Sequence, residues 1–416
     1  MQVISLNKYF KCNLKGQVML TDNEIKIIKS SAPALAEFGE QITGRFYQIL
    51  FEKNPELSDI FNMTNQKTGN QKQALAMAVY AFSKYVDNLS VILGDVERIA
   101  QKHASLGIKA EHYPLVGAAL LESIKEILNP GEEVIAAWAS GYGVLANVFI
   151  EREKVLYQES AEKEGGWSST REFTVVKKHQ ETPLITSFYL QPSDQGKVSA
   201  YQAGQYIALH LHPEGAKNHQ IRQYSLSGAF DQSGYRISVK KENNEQGDGL
   251  VSNYLHDKLK QGDSIQVSNP FGEFVLQNTK RPAVLISGGV GITPMQAMLE
   301  TLAVQDPSRE THFVHGALDE LHHAFKTKLD ELVETGKVKA HTFYQNIKAQ
   351  PQEHDVKQGI INIEHIKADL PLTDAEFYIC GPLVMMKAVY KQLKALQVND
   401  EQIFYEVFGP SKTLTD

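Results

Sequence analysis

Arg222-Gln223-Tyr224-Ser225-Leu226-Ser227, followed in order by Gly288-Gly289-Val290-Gly291-Ile292-Thr293-Pro294 and by Cys380-Gly381-Pro382, decides how this chain is read. The hexamer joins Arg, Tyr and Ser on a short strand-like run. Alternate residues of a strand share a face, so Arg222 and Tyr224 fall together. A guanidinium suits a phosphate, and a ring beside it suits a flat heterocycle. Ser225 adds a hydroxyl that can hydrogen-bond a ring nitrogen. Taken alone, the hexamer reads equally well as a barrel strand with an exposed Arg and a packed Tyr.

The glycine loop follows the apolar run 283–287 and opens a helix at 295–304. Glycines there let the backbone approach a phosphate, and a helix N-terminus favours its charge. Pro294 suits the first turn. Cys380-Gly381-Pro382, after Phe377-Tyr378-Ile379, is a second strand-to-helix turn at a sheet's carboxyl edge, where open α/β folds bind ligands. Either turn alone is a plain turn. The ordered set resembles a flavin reductase of the ferredoxin–NADP⁺ reductase type. At the C-terminus Tyr405-Glu406-Val407-Phe408-Gly409-Pro410 ends the last strand, where an aromatic can cover a flavin face.

Working outward, 416 residues are too many for one ordinary core and imply two or three domains. Hydrophobic residues at 42% and charged residues at 22% describe a soluble globular chain. A net charge of −7 argues against a nucleic-acid partner. Two distant cysteines, Cys12 and Cys380, fit a reduced cytoplasmic protein without a disulfide scaffold. No apolar run approaches the ~20 residues of a membrane span, so no integral membrane segment is expected. Residues 1–18 carry Lys8, Lys11 and Lys15 but no apolar core of signal length. They are expected to be a disordered extension or a misassigned start, because Thr21 or Asp22 caps the helix that follows.

Three patterns succeed one another. Residues 21–158 read as helices, with stripes at Val96/Ile99/Ala100/His103, at Ala74/Leu75/Ala78/Val79/Phe82, and from Trp138 through Tyr142, Phe149 and Glu153 to Tyr157. Residues 159–167 read as a linker, with Ser160–Gly166 equally readable as the frayed end of the long helix before it. Short strand-like runs at 173–177, 184–190, 205–212, 235–240 and 264–268 imply an antiparallel barrel over 168–278. From 279 to 416, strands at 283–287, 313–315, 338–343, 377–380 and 403–408 alternate with helical stretches and imply a mostly parallel α/β sheet.

In the helical half, His103 lies on an apolar stripe, where a histidine is more often packed than functional. Glu153 interrupts the inner face of the longest helix, and a buried carboxylate needs a partner. Gln71 leads the Leu75/Val79 face. Spacing leaves both readings open, a cofactor pocket or packed polar residues.

Longer segments decide more. Asn54-Pro55-Glu56-Leu57, Ile60-Phe61-Asn62-Met63, Asn65-Gln66, Ile99-Ala100-Gln101-Lys102-His103 and the run from Tyr142 to Ile150 resemble a bacterial flavohaemoglobin. The likeness runs in order from about Leu20 to Pro410. It implies an all-α globin over 19–158, an FAD-binding β-barrel and an NAD-binding α/β domain. The implied activity is nitric oxide dioxygenase: two NO, two O₂ and NAD(P)H give two nitrate. The implied cofactors are haem b, FAD and NADH or NADPH, in a chain taken as a monomer. NADH is favoured because Val314-His315-Gly316-Ala317 carries no basic cluster.

Carried over residue by residue, His103 is implied as the proximal haem-iron ligand, with Tyr113 and Glu153 hydrogen-bonded to its far side. Tyr47 is implied as donor to oxygen, with Phe61, Gln71 and Leu75 shaping the pocket. FAD is implied on Tyr206, Arg222, Gln223, Tyr224 and Ser225, and on Val407, Phe408, Gly409 and Pro410. NAD(P)H is implied on Gly289, Val290, Gly291, Ile292, Thr293 and Pro294. Lys102 and Glu406 match positions that tune electron transfer, or are solvated charges. Two departures stand out. Val407 replaces a cysteine often seen there, and the 242–249 loop is longer than usual. The competing readings are a haem-based sensor or carrier, a ferric-iron or quinone reductase with a vestigial globin, and a hydroperoxide reductase.

Overall fold

The computed structural model describes residues 20–61, 69–244, 247–347, 356–409 and 414. Residues 1–18, Cys12 among them, and Pro410 lie outside the described residues. The chain divides into two compact units, one running through Glu162 and taking in Glu214–Ile221, the other comprising Lys163–Pro213 and Arg222–Asp416.

The first unit is helical: α1 (Asp22–Ser30), α2 (Ala32–Lys53), α3 (Asn70–Tyr85), α4 (Leu93–Leu106), α5 (His112–Leu128) and α6 (Glu132–Glu162). Thr21 starts it with a capping box. Its hydroxyl accepts the Glu24 N–H at 3.2 Å, and the Glu24 carboxylate accepts the Thr21 N–H at 2.8 Å. Ile42, Phe46, Ile49 and Leu50 on α2 and Val79 and Phe82 on α3 bury an apolar interior. α6 continues through Ser160, itself buried, into the stretch expected to be linker. By length and composition alone α6 also passes for a membrane-crossing helix, which the run-length criterion did not anticipate. Here its inner face carries Trp138, Phe149 and Glu153 against the other helices. Glu214–Ile221 joins this unit through Asn218, whose amide donates to Ser58 Oγ at 2.5 Å, and through the His219 N–H, which donates to Asp59 at 2.9 Å.

The second unit holds two six-stranded sheets. The first, ordered β4-β3-β8-β1-β2-β5, comprises Gln220–Ser225, Tyr206–Leu211, Ser264–Ser268, Thr170–Gln180, Ile185–Pro192 and Tyr235–Lys240. A bridge from Leu226 to Ile237 closes its ends toward each other. Phe173, Phe188, Leu190, Tyr235 and Ile237 fill its interior. β6 (Asn243–Asn244) pairs antiparallel with β7 (Gly247–Asp248) before α7 (Leu250–Asp257).

The second sheet is parallel, ordered β12-β11-β10-β9-β13-β14: Val356–Gln358, Lys339–Tyr344, Thr311–Ala317, Ala283–Gly288, Glu376–Cys380 and Ile403–Glu406. Helices α8 (Ile292–Gln305), α9 (Lys326–Glu334) and α10 (Leu383–Ala395) cover it. The central strand β9 is buried on both faces, as its unbroken apolar run requires. At the edge where β10 and β13 begin, Arg309 meets Glu376 at 2.7 Å with side chains 2% and 3% exposed. Tyr378 also donates to Glu376, at 2.7 Å.

Two more buried polar groups lie on the β10 side. His315 Nδ1 sits 2.8 Å from Ser287 Oγ, and its ring centroid is 4.5 Å from that of His323. Burial pulls His315 down to about 3 and His323 well below the ordinary range. An unfolded histidine takes its proton near pH 6.5. Between these values the unfolded chain binds more protons than the folded one. The stabilisation is therefore complete above about pH 6.5 and is lost as pH falls below it. The protection factors of the β9 and β10 amides, corrected for the intrinsic exchange rate at each pH, should fall between about pH 7 and 4.5, and His315→Gln should flatten that dependence. An unchanged slope in the variant would exclude His315 as its source.

Candidate active site

In the helical unit the site begins with three side chains from three helices. His103 on α4 brings Nδ1 to 2.8 Å from Glu153 Oε1 on α6 and to 3.1 Å from the Tyr113 hydroxyl on α5. Tyr113 donates to the same Glu153 oxygen at 2.5 Å. A carboxylate only accepts, so Nδ1 carries a proton, and a neutral ring held this way presents the lone pair of Nε2 away from Glu153. The His103 side chain is 31% exposed while that of Glu153 is 3% exposed, so the carboxylate side is sealed and the ring opens the other way. Burial, then the Glu153 charge, push the Tyr113 phenol up and hold it as a donor. Gly117 makes the arrangement possible. A Cβ there would overlap the Tyr142 ring, whose hydroxyl donates to the Tyr113 carbonyl at 2.7 Å. Tyr157 likewise donates to the Ile108 carbonyl at 2.6 Å.

A second cluster is aromatic. Tyr47 on α2 is buried, with ring centroids 4.7 Å from Phe46 and 5.9 Å from both Phe51 and Phe61. Sequence reasoning named Tyr47 and Phe61 and missed Phe51, which its i+4 spacing from Tyr47 signals. Gln71 and Leu75 are half-buried one turn apart on α3. Lys102 is half-buried beside His103.

In the second unit β4 presents Arg222, Gln223 and Tyr224 half-buried and Ser225 buried. Burial lowers the Arg222 guanidinium pKa, and burial raises the Tyr224 phenol against the pull of Arg222. Tyr206 opens β3 with its ring against Gly272. Behind β4 three buried hydroxyls run in line: Ser227 to Ser238 at 2.8 Å, and Ser238 to Ser187 at 2.7 Å. Val407 is half-buried, while Phe408 and Gly409 are exposed past the end of β14, where Glu406 is half-buried.

The glycine-rich turn follows β9. Gly289 is exposed at φ 53°, Val290 is half-buried, and Gly291, Ile292, Thr293 and Pro294 are buried. The Thr293 hydroxyl donates back to the Val290 carbonyl at 3.0 Å. A Cβ on Gly291 would overlap the Cys380 carbonyl, and Gly381 sits at φ 157°. The two turns thus meet backbone to backbone at the carboxyl edge. Only glycine permits that approach, and it brings the start of α8 to the carboxyl edge of the sheet, where open α/β folds bind ligands.

These residues fit the groups they imply. Among the described residues no three or more His, Cys, Asp or Glu side chains could hold a bare ion. A single histidine with a free lone pair suits a metal already held by a macrocycle. The family models agree: Globin matches residues 44–149, Oxidoreductase FAD-binding domain 172–276 and Oxidoreductase NAD-binding domain 285–391. A flavohemoprotein of Bacillus cereus (strain ATCC 10987 / NRS 248) is 51% identical over 405 residues, covering 95% of this chain and 100% of the relative. One from Halalkalibacterium halodurans is 42% identical, over 95% and 98%. A crystal structure of flavohemoglobin from Malassezia yamatoensis with bound FAD and heme superposes with a TM-score of 0.82 at 26% identity, covering 94% of this chain and all of that one. The FAD/NAD binding domain of nitric oxide dioxygenase from Vibrio cholerae matches at a TM-score of 0.54 and 42% identity, over 58% of this chain and 99% of that one.

The molecule is therefore a globin continuous with a flavin- and nicotinamide-dependent oxidoreductase. The chain belongs to the flavohemoprotein family. Its cofactors are haem, FAD and a nicotinamide dinucleotide. Gly291→Ala should force the two turns apart, at a cost of about 1–3 kcal/mol. Flavin reduction by NADH should slow, while the visible spectrum of the bound haem stays that of the parent. Unaltered reduction kinetics and melting temperature would refute the close-approach argument.

Proposed function

We propose that the chain is an NAD(P)H- and O₂-dependent nitric oxide dioxygenase that converts NO to nitrate. The observation that carries the reading is the Glu153 carboxylate, buried 2.8 Å from His103 Nδ1 with Tyr113 as its second donor. A carboxylate on the far side of an imidazole makes the ring more anionic and Nε2 a stronger donor to iron. That favours chemistry on oxygen over its storage, and a sensor or carrier has no use for the flavin and nicotinamide elements. A bound FAD would supply the two-electron to one-electron conversion between nicotinamide and haem, and a bound haem would supply the oxygen chemistry toward NO.

The residues divide the remaining work. His103 holds the iron, and Tyr113 and Glu153 keep its proton on Nδ1. Tyr47, the hydroxyl in an otherwise phenylalanine cluster, donates to the oxygen substrate, while Phe61, Gln71 and Leu75 shape the pocket. Arg222 neutralises diphosphate, Tyr224 lies against the flavin ring, and Ser225 hydrogen-bonds it. Tyr206, Gln223, Val407, Phe408 and Gly409 complete that site. Gly289, Val290 and Gly291 carry the dinucleotide phosphates on backbone N–H groups, with Ile292, Thr293 and Pro294 buried behind them. Lys102 and Glu406 tune electron transfer. The protein works as a cytoplasmic monomer.

Anaerobic stopped-flow with NADH, followed by a pulse of O₂ and NO, tests the reading directly. Flavin bleaching, then haem reduction, then one nitrate per NO is the expected sequence. Flavin bleaching without haem reduction would instead favour a stand-alone reductase. Glu153→Gln should lower NO consumption about 10–100-fold while leaving the flavin-bleaching rate unchanged.

A further inference from the structure

The hydrogen bonds that join α4 to α6 include two separated attachments. One is Glu153 on His103. The other starts from the preceding residue: Arg152 forks onto Glu97, Nε to Oε2 at 2.6 Å and Nη2 to Oε1 at 2.8 Å. Gln101, one turn along α4, donates to the same Glu97 oxygen at 2.8 Å. The Arg152 and Glu97 side chains are only 15% and 11% exposed, so solvent screens the pair weakly.

The placement of the two attachments matters. Neighbouring residues on a helix point about 100° apart, so Arg152 and Glu153 grip α4 on either side of the line where the helices cross. On α4 their partners are six residues apart, about 9 Å along the axis. One contact leaves a helix free to swivel, whereas two separated contacts fix its rotation and axial position together. The planar guanidinium holds both carboxylate oxygens, which a lysine cannot do. We propose that Glu97 and Arg152 are a positioning pair: their fork sets the geometry of the His103–Glu153 contact and, through it, the donor strength of Nε2. The inference rests on His103 being the iron ligand.

The test uses full-length holoprotein in the ferrous, ligand-free state, with the iron–histidine stretch read by resonance Raman. Arg152→Gln removes the fork and Arg152→Lys keeps the charge without it. Glu97→Gln is the milder companion should the first variant fold poorly. In all three the stretch should move to lower frequency. NO consumption should fall about tenfold, with the NADH KM and the flavin-reduction rate unchanged. The swap Glu97→Arg with Arg152→Glu should return the band toward the parent position. A band that stays put in Arg152→Lys and Glu97→Gln, even with a lower melting temperature, would make the fork purely structural and overturn the proposal. An iron–histidine band that is missing from the parent protein would instead overturn the ligand assignment beneath it.

Discussion

A carboxylate buried in the middle of a helical core constrains everything around it. Glu153 is 3% exposed, and an unpaired charge at such a depth costs several kcal/mol. Its two donors come from different helices, so α4, α5 and α6 must all reach one point. Small details elsewhere serve that convergence. Gly117 clears space for the Tyr142 ring, Tyr142 holds the Tyr113 carbonyl, and Tyr157 ties down the turn between α4 and α5. None of these touches the proposed iron site. Each limits how far Tyr113 and His103 can drift from the carboxylate.

The second unit solves the opposite problem, making room for charge that arrives with a ligand. It does so with backbone. Gly291 and Gly381 let two turns close on each other at the carboxyl edge of the parallel sheet, where strand ends and helix starts expose N–H groups. The protein's own buried ion pair, Arg309 with Glu376, is kept at the other edge. The buried ion pair thus lies at the opposite edge of the sheet from the two glycine turns.

Much of this was legible in the chain. Strand positions followed from alternation and from the unbroken apolar run of β9, and the glycine turns announced themselves by order. Thr21 was readable as a cap. What escaped did so for physical reasons. β12 has three residues, two of them polar, and gives no periodic signal. The last turns of α6 are charged enough to look like a linker, although Ser160 there is buried. Tyr47 stands one position off the Ile42/Phe46/Ile49 stripe, so periodicity passes over it, and only the family resemblance named it. The Glu97–Arg152 fork joins residues 55 apart in sequence, and no local pattern encodes such a pairing.

Three of the buried carboxylates among the described residues are met in two different ways. Glu97 and Glu376 are each met by an arginine, so charge cancels charge and what remains is a fixed geometry. Glu153 is met by a histidine and a tyrosine instead. Burial and the Glu153 charge keep the tyrosine protonated. The field falls on the imidazole, polarising its N–H and enriching Nε2. An arginine in place of Tyr113 would satisfy the carboxylate better and draw its charge away from the His103 ring. The weaker neutral pairing is what lets a buried charge act on its neighbour, and it holds only because the surrounding helices are pinned by stronger pairs.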